Sequence, residues 1–210
     1  MANLNHHGIL RKNGGVTMAE RCDWAGQEEI YIAYHDDEWG VPEYDSRALW
    51  EKLVLDGFQA GLSWITILKK RDNFREAFQG FDPDIIAQWG EEDVLKLLGN
   101  PGIIRHRGKI EATIGNARAW QAIEADQGFD KYLWGFVDGR PVENHWRQQK
   151  EVPAQTELSQ KISKDLKQKG FKFCGPTIVY AFMQACGLIN DHLVGCPCHK
   201  KVAAMARLNV

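Results

Sequence analysis

Lys169-Gly170-Phe171-Lys172-Phe173-Cys174-Gly175-Pro176-Thr177 joins two runs that read as helices. Thr156 is placed to open a lysine-rich helix that ends at Gly170. Pro176, with its φ fixed and no N–H to lose, suits the first position of a second helix ending at Gly187. The first N–H groups of that second helix lack intrahelical partners, and Gly175 lets another backbone come close, so the connection could hold a phosphate. Lys169 and Lys172 would supply charge. Any helical bundle contains a turn of this length, so the turn points to helix pairing before it points to function.

Outward from this pair the pattern stays helical. Residues 107–126 form a long amphipathic run, and Ser46 can cap a helix carrying Leu49, Trp50, Leu53 and Val54, with Gly57 as its stop. Asn73-Phe74-Arg75-Glu76 has the spacing of a capping box, and Asp82-Pro83 pairs a cap with a proline. Residues 138–155, with Gly139, Pro141 and Pro153, read as the longest loop. Strand-like alternation is nearly absent and no repeat appears, so the expected fold is mainly α.

The chain has 210 residues, 44% apolar and 26% charged, which suits one sizeable core and excludes a wholly disordered, collagen-like or coiled-coil chain. No stretch approaches the ~18 uninterrupted apolar residues of a membrane span, and no secretory leader is evident, so a cytoplasmic protein is expected. Five cysteines without framework spacing suit metal-bound or free thiols better than disulfides. A net charge of -2 does not advertise a polyanionic partner. Basic residues nevertheless cluster at Lys69-Lys70-Arg71, at Arg105 to Lys109 and from Lys161 to Lys172, and each cluster alone reads as a solvated face. Residues 1–18 hold few large apolar groups and are expected to be a disordered extension. Residues 19–200 are expected to form one domain, and 201–210 a C-terminal tail.

Three groups of residues carry chemistry. Cys22 and His35 stand near the start, and His192 and Cys196, four apart, near the end. Two sulfurs and two imidazoles would fill the coordination sphere of a tetrahedral ion and staple the chain's ends, although Cys198 and His199 compete for the ligand roles. Cys174 and Cys186 read as core thiols. Tyr31, Tyr34, Trp39 and Trp64 flank a short acidic segment, and rings around one pocket suit stacking on a planar base, while most aromatics are simply core, as Trp50, Phe74 and Phe78 read. Asp56 stands in the last turn of an apolar helix, where the dipole disfavours negative charge. A ligand contact and a salt bridge to a nearby lysine both account for it.

Arg21-Cys22-Asp23-Trp24, Tyr31 to Pro42, Gln59-Ala60-Gly61-Leu62-Ser63-Trp64, Gly102 to Ile110, and Phe182 to Gly187 with Asn190-Asp191-His192 together resemble the 3-methyladenine DNA glycosylase I family. The likeness runs in order from Arg21 to Cys198. It implies the helix-hairpin-helix glycosylase fold, with two helical lobes around a DNA-facing cleft, and hydrolysis of the glycosidic bond of 3-methyladenine in alkylated double-stranded DNA. Free 3-methyladenine would be the product. The likeness also implies one structural zinc on Cys22, His35, His192 and Cys196, which ties the N- and C-terminal segments and sets Cys198 aside. Tyr31, Tyr34, Trp39, Asp56 and Trp64 match the base pocket, with Asp56 and Tyr34 as the candidate catalytic groups. Leu62, with Gly61, matches the wedge that enters the duplex, and Lys169, Lys172 and Gly175 belong to the element that grips phosphate. No membrane partner is implied, and a monomer is expected.

Two departures qualify the likeness. Asp56 replaces the family's usual glutamate and reaches roughly 1.5 Å less far. Asn190 stands where the wider superfamily carries a catalytic aspartate, as is typical of this family; Asp191 is next door, but its side chain is expected to point elsewhere. Methylation at N3 makes the absence tolerable, because the charged base leaves as a neutral molecule and needs no strong general acid. No lysine is set to form a Schiff base, so a monofunctional hydrolase is expected. The alternative is a zinc-stabilised module that binds DNA lesions or nucleobases without cleaving them.

Overall fold

Asp45 accepts hydrogen bonds from the backbone N–H of Arg47 and Ala48 at 3.0 and 2.8 Å in a computed structural model that describes residues 21–208. The cap of the first long helix therefore sits one residue before Ser46. The extension expected at residues 1–18 lies outside the described residues. The helices in chain order are α1 (Glu29–Asp37), α2 (Ser46–Gln59), α3 (Trp64–Leu68), α4 (Arg71–Ala77), α5 (Pro83–Ile86) and α6 (Glu91–Leu98). They are followed by α7 (Arg107–Asp126), α8 (Phe129–Trp134), α9 (Glu157–Gln168), α10 (Pro176–Ala185) and α11 (Pro197–Leu208). The last of these runs into the stretch read as a tail. Strand structure among the described residues is one parallel pair, β1 (Val142–Glu143) beside β2 (Ile189–Asn190). The protein is mainly α. No helix among the described residues is long and apolar enough to cross a membrane.

Helix α2 is the centre of the core. Every residue from Leu53 to Phe58 is buried, which marks a helix covered on all sides rather than an amphipathic surface element. It does not stop at Gly57 but continues to Gln59. Trp50 is fully buried and donates its Nε1–H to the carbonyl of Phe81 at 3.0 Å. Phe58, Phe74 and Phe78 pack as a ring cluster with centroids 4.8 to 5.9 Å apart. Helix α7 packs on α2 and α5, and α10 packs between α2 and α9.

Local signals explain most boundaries. The Asp82 side chain accepts from the Asp84 N–H ahead of Pro83, and the Thr156 side chain accepts from the Ser159 N–H. The box read at Asn73 to Glu76 does not start a helix: α4 begins at Arg71, because only Lys69 and Lys70 separate it from α3, and Asn73 falls inside the first turns. Gly187 has φ +73°, and a Cβ there would lie 2.5 Å from Pro42 N and 2.6 Å from Gly40 O. Only glycine lets residues 40–42 cross so close to the end of α10.

Replacing Trp50 with alanine should therefore cost about 3–5 kcal/mol, since it opens a cavity and strips the Phe81 carbonyl of its donor. Urea unfolding that shifted by less than about 1 kcal/mol would place the core elsewhere.

Candidate functional site

Tyr31 and Tyr34 lie one turn apart on α1, and Trp39 follows the helix end. Asp56 comes from α2, and Trp64 opens α3. These five side chains line one cavity of about 180 Å³. Apolar cavities of ~150 Å³ take up a benzene ring, so this void is on the scale of a small aromatic ligand. Trp24 completes the aromatic wall, with ring centroids 5.1 Å from Tyr31 and 4.8 Å from Trp39. On the other side Tyr34 and Trp64 lie 5.3 Å apart at 42°.

Two polar atoms in this wall have no partner among the described residues. Asp56 Oδ2 and the indole Nε1–H of Trp64 are both buried and unsatisfied. Each unmade buried hydrogen bond costs about 1–3 kcal/mol, so the fold holds both groups at a cost. The salt bridge that could have explained Asp56 is not formed. Lys52, one turn away, donates instead to Glu38 at 3.2 Å, and Arg71 donates to the same carboxylate at 2.7 Å. Burial works against a charge on Glu38, but Lys52 and Arg71 outweigh it and hold its carboxyl below the ordinary range. Burial pushes Asp56 up to about 8, with Lys52 only partly opposing it. Burial likewise pushes the Tyr34 phenol well above its usual value.

Sequence reasoning missed Trp24, Gln59, Gln149, Gln184 and Asp191, all of which line the cavity. Trp24, Gln59, Gln184 and Asp191 sit inside the quoted motifs and could have been found there. Gln149 lies in the long loop and carries no signal. The Asp191 side chain faces inward, not elsewhere. It accepts from Tyr180 OH at 2.5 Å, Asn144 Nδ2 at 2.6 Å, and Trp146 Nε1 and Gln184 Nε2 at 2.8 Å. Four donors converge on its two oxygens, so Asp191 ties the loop after β1 to α10. Asn190 is spent on structure, donating to the His199 carbonyl and accepting from the His192 N–H.

Behind the aromatic wall, Cys22, His35, His192 and Cys196 are all buried, with ligand atoms within 4.8 Å of one another. Cys196 Sγ lies 3.7 Å from His35 Nε2 and 3.8 Å from His192 Nδ1, and Cys22 Sγ lies 3.8 Å from His192 Nδ1. This cluster could hold a metal ion. The second nitrogen of each imidazole is already engaged: His35 Nδ1 with Asp36 at 2.7 Å, and His192 Nε2 with the Trp39 carbonyl at 3.0 Å. Such partners fix the ring orientation of ligating histidines. Cys198 instead faces Asp36.

The remaining predicted residues lie outside the cavity. Gly61, at φ +83°, and Leu62, 41% exposed, belong to the turn that joins the cavity-lining residues Gln59 and Trp64. Lys169, Lys172 and Gly175 belong to the turn between α9 and α10. Lys172 is exposed, Gly175 precedes an α10 start that has no side-chain cap, and the Lys169 ammonium lies over the Tyr132 ring at 5.4 Å.

The methyladenine glycosylase family model matches residues 24–199. The DNA-3-methyladenine glycosylase 1 of Escherichia coli (strain K12) is 55% identical over 181 residues, 86% of this chain and 97% of that protein. A crystal structure of 3-methyladenine DNA glycosylase I is similar with a TM-score of 0.84 at 57% identity, covering 86% of this chain and all of that one. The Staphylococcus aureus enzyme, solved to explain its recognition of 3-methyladenine, gives 0.83 at 40% identity over 86% and 97% of the two chains.

Asp56 gives the site a pH signature. Its carboxyl titrates near 3.8 when free and is raised to about 8 in the fold. Between those values the folded chain holds a proton that the unfolded chain has released, so stability falls as pH rises through the window. Asp56→Asn removes that slope. The melting temperature of the variant relative to the parent should climb from about pH 5 to about pH 8, and a constant difference would contradict the raised value.

Proposed function

The chain belongs to the methyladenine glycosylase family, and we propose that it hydrolyses the glycosidic bond of 3-methyladenine in alkylated DNA after the base has swung into the aromatic cavity. The observation that carries this reading is that Asp56 and Trp64, each with a buried polar atom lacking a hydrogen-bond partner among the described residues, both line a ring-walled cavity. The Asp56 carboxyl, from α2, suits the polar edge of a purine, while the rings of Tyr31, Tyr34, Trp39 and Trp64 suit its faces. Extruding the nucleotide costs a few kcal/mol, which stacking on the rings can offset.

Charge supplies the selectivity. A base methylated at N3 is cationic, and rings attract a cation with ~0.5–2 kcal/mol each where it is desolvated. The same cation favours the ionised form of Asp56, whose burial otherwise keeps the proton on. A neutral adenine would gain neither contribution. The base leaves as a neutral molecule, so the site needs no strong proton donor. Its work is to hold the nucleotide while the sugar develops positive charge, and attraction to the cation alone would not accelerate its loss. Asp56 and Tyr34 are the groups we assign to that task. Asp56 is shorter than the glutamate that the family usually carries, so a bridging water or a shifted base would complete the contact.

On the DNA side, the reading gives Leu62 and Gly61 the wedge role. It gives the helix–turn–helix of α9 and α10, with Lys169, Lys172 and Gly175, the phosphate grip of a helix-hairpin-helix element. We assign zinc to Cys22, His35, His192 and Cys196. Bonds of ~2.3 Å to sulfur and ~2.0 Å to nitrogen in a tetrahedron put S and N about 3.5 Å apart, near the 3.7 to 3.8 Å found. Four protein ligands leave no open position, so the ion staples the chain ends and takes no part in the chemistry.

Methylated duplex incubated with the protein should release free 3-methyladenine and leave the strands uncut. Binding without release would favour a lesion-binding module. Asp56→Asn should weaken binding of free 3-methyladenine by up to about tenfold, the cost of altering one buried hydrogen bond. An unchanged affinity would remove the contact. Elemental analysis should find one zinc per chain, lost with a lowered melting temperature in Cys196→Ser and kept in Cys198→Ser; retention in both would overturn the ligand set.

A further inference from the structure

Helix α7 carries three buried polar residues on one face, Lys109, Thr113 and Asn116, at spacings of four and three. The function proposed above uses none of them. The Lys109 ammonium donates to the carbonyls of Phe58 and Ala60, both at 2.8 Å. These are carbonyls at the end of α2, one of them the residue that opens the Gly61-Leu62 turn, and no ion pair of Lys109 is found among the described residues. Two turns further along α7, Asn116 makes a double contact with the backbone of one hairpin residue. Its Oδ1 accepts from the Lys172 N–H at 2.8 Å, and its Nδ2 donates to the Lys172 carbonyl at 3.0 Å. Thr113 lies between them and donates back to the Lys109 carbonyl at 2.9 Å.

Neither contact is what an ordinary core helix requires. A buried lysine costs desolvation that an apolar residue of the same length would avoid, and burial holds its ammonium below the usual range. An asparagine closing a ring with a distant backbone fixes that backbone in place and in rotation. The first contact ends at the last turn of α2, directly before the exposed Gly61-Leu62 turn, and the second on the backbone of the exposed hairpin residue Lys172. The hairpin also leans directly on α2, where a Cβ on Gly57 would lie 3.4 Å from the Phe173 carbonyl.

We propose that Lys109 and Asn116 are positioning residues which use α7 as a rigid bar, one end fixing the Leu62 turn and the other the Lys172 hairpin, so that wedge and phosphate grip meet the duplex in one register. The proposal rests on the wedge and grip roles given above. Seven residues of α-helix separate the two anchors, about 10 Å at 1.5 Å per residue. Sliding or tilting either turn would move Leu62 relative to the gripped phosphate, and the base would no longer stand opposite the cavity mouth.

The test compares excision of 3-methyladenine from methylated duplex and from the same methylated strand alone. Lys109→Met keeps the stem and removes the ammonium, and Asn116→Ala removes the clamp. Each should lower kcat/KM on duplex by roughly tenfold or more, the cost of losing a buried charged or paired hydrogen bond. Losses on the single strand should be several-fold smaller, and affinity for free 3-methyladenine should stay within twofold. A simple destabilisation would lower both substrates together and would be visible in the melting temperature. Leu62→Ala is run beside them. Should Leu62→Ala spare the preference for duplex, the wedge reading fails. Should it remove that preference while Lys109→Met and Asn116→Ala both leave it intact, the wedge stands and the positioning role is wrong. If Lys109→Met does not fold, Asn116→Ala and Asn116→Asp, which retains the acceptor for the Lys172 N–H and should recover part of the loss, decide the matter.

Discussion

A carboxyl group that the fold leaves without a donor governs the site. Asp56 sits where every neighbouring residue of α2 is buried, its one nearby cation is taken by Glu38, and its Oδ2 has no hydrogen-bond partner among the described residues. Such a group is costly in the empty protein, and the surrounding core must hold it against relaxation. The contrast with Glu38 is instructive. Both are carboxyls close to Tyr34, yet the one with two cationic partners is charged and structural, while the one without is available to a ligand. Position relative to partners separates the two roles.

The aromatic wall is braced from behind. Trp39 packs against His192 with ring centroids 4.6 Å apart, and its backbone carbonyl accepts a hydrogen bond from Nε2 of the same imidazole. Trp24 lies 5.1 Å from His35. The Cys22, His35, His192 and Cys196 cluster therefore touches the cavity's far side without entering it. Gly40, at φ +81°, lets the chain turn next to His192, where a Cβ would come within 3.1 Å of Nε2. Gly187 admits the same segment from the opposite side. The aromatic wall is thus braced by residues from both the early and the late part of the chain.

Much of this was legible in the residues. Periodicity gave α7 its boundaries at Arg107 and Asp126, and Asp82-Pro83 and Thr156 marked true starts because their caps are local. The errors fell where tertiary context overrides local preference. Ser46 yielded to Asp45, Asn73 was absorbed by a helix that its neighbour had already begun, and Gly57 served packing rather than termination. The five pocket residues were named from rings and a misplaced carboxylate together with family likeness. Asp191 drew no role because it stands one residue beyond the matching position Asn190, and its inward direction follows from donors as distant as Asn144 and Trp146, which no local pattern encodes. Lys109 and Asn116 read as part of an amphipathic run, since nothing in sequence distinguishes a buried lysine from a solvated one.

One wall of the cavity has a different character from the rest. Gln149 and Val152 reach it from the long irregular stretch after β1, and that stretch is fastened near the void by the four-way clasp on Asp191. Most of the remaining lining comes from α1, α2, α3 and α10, with Trp24, Trp39 and Asp191 beside them. Selectivity can therefore drift at residues 147–152 while foldability is preserved elsewhere. In this architecture the cavity's outline is most freely altered where the chain carries least of the packing.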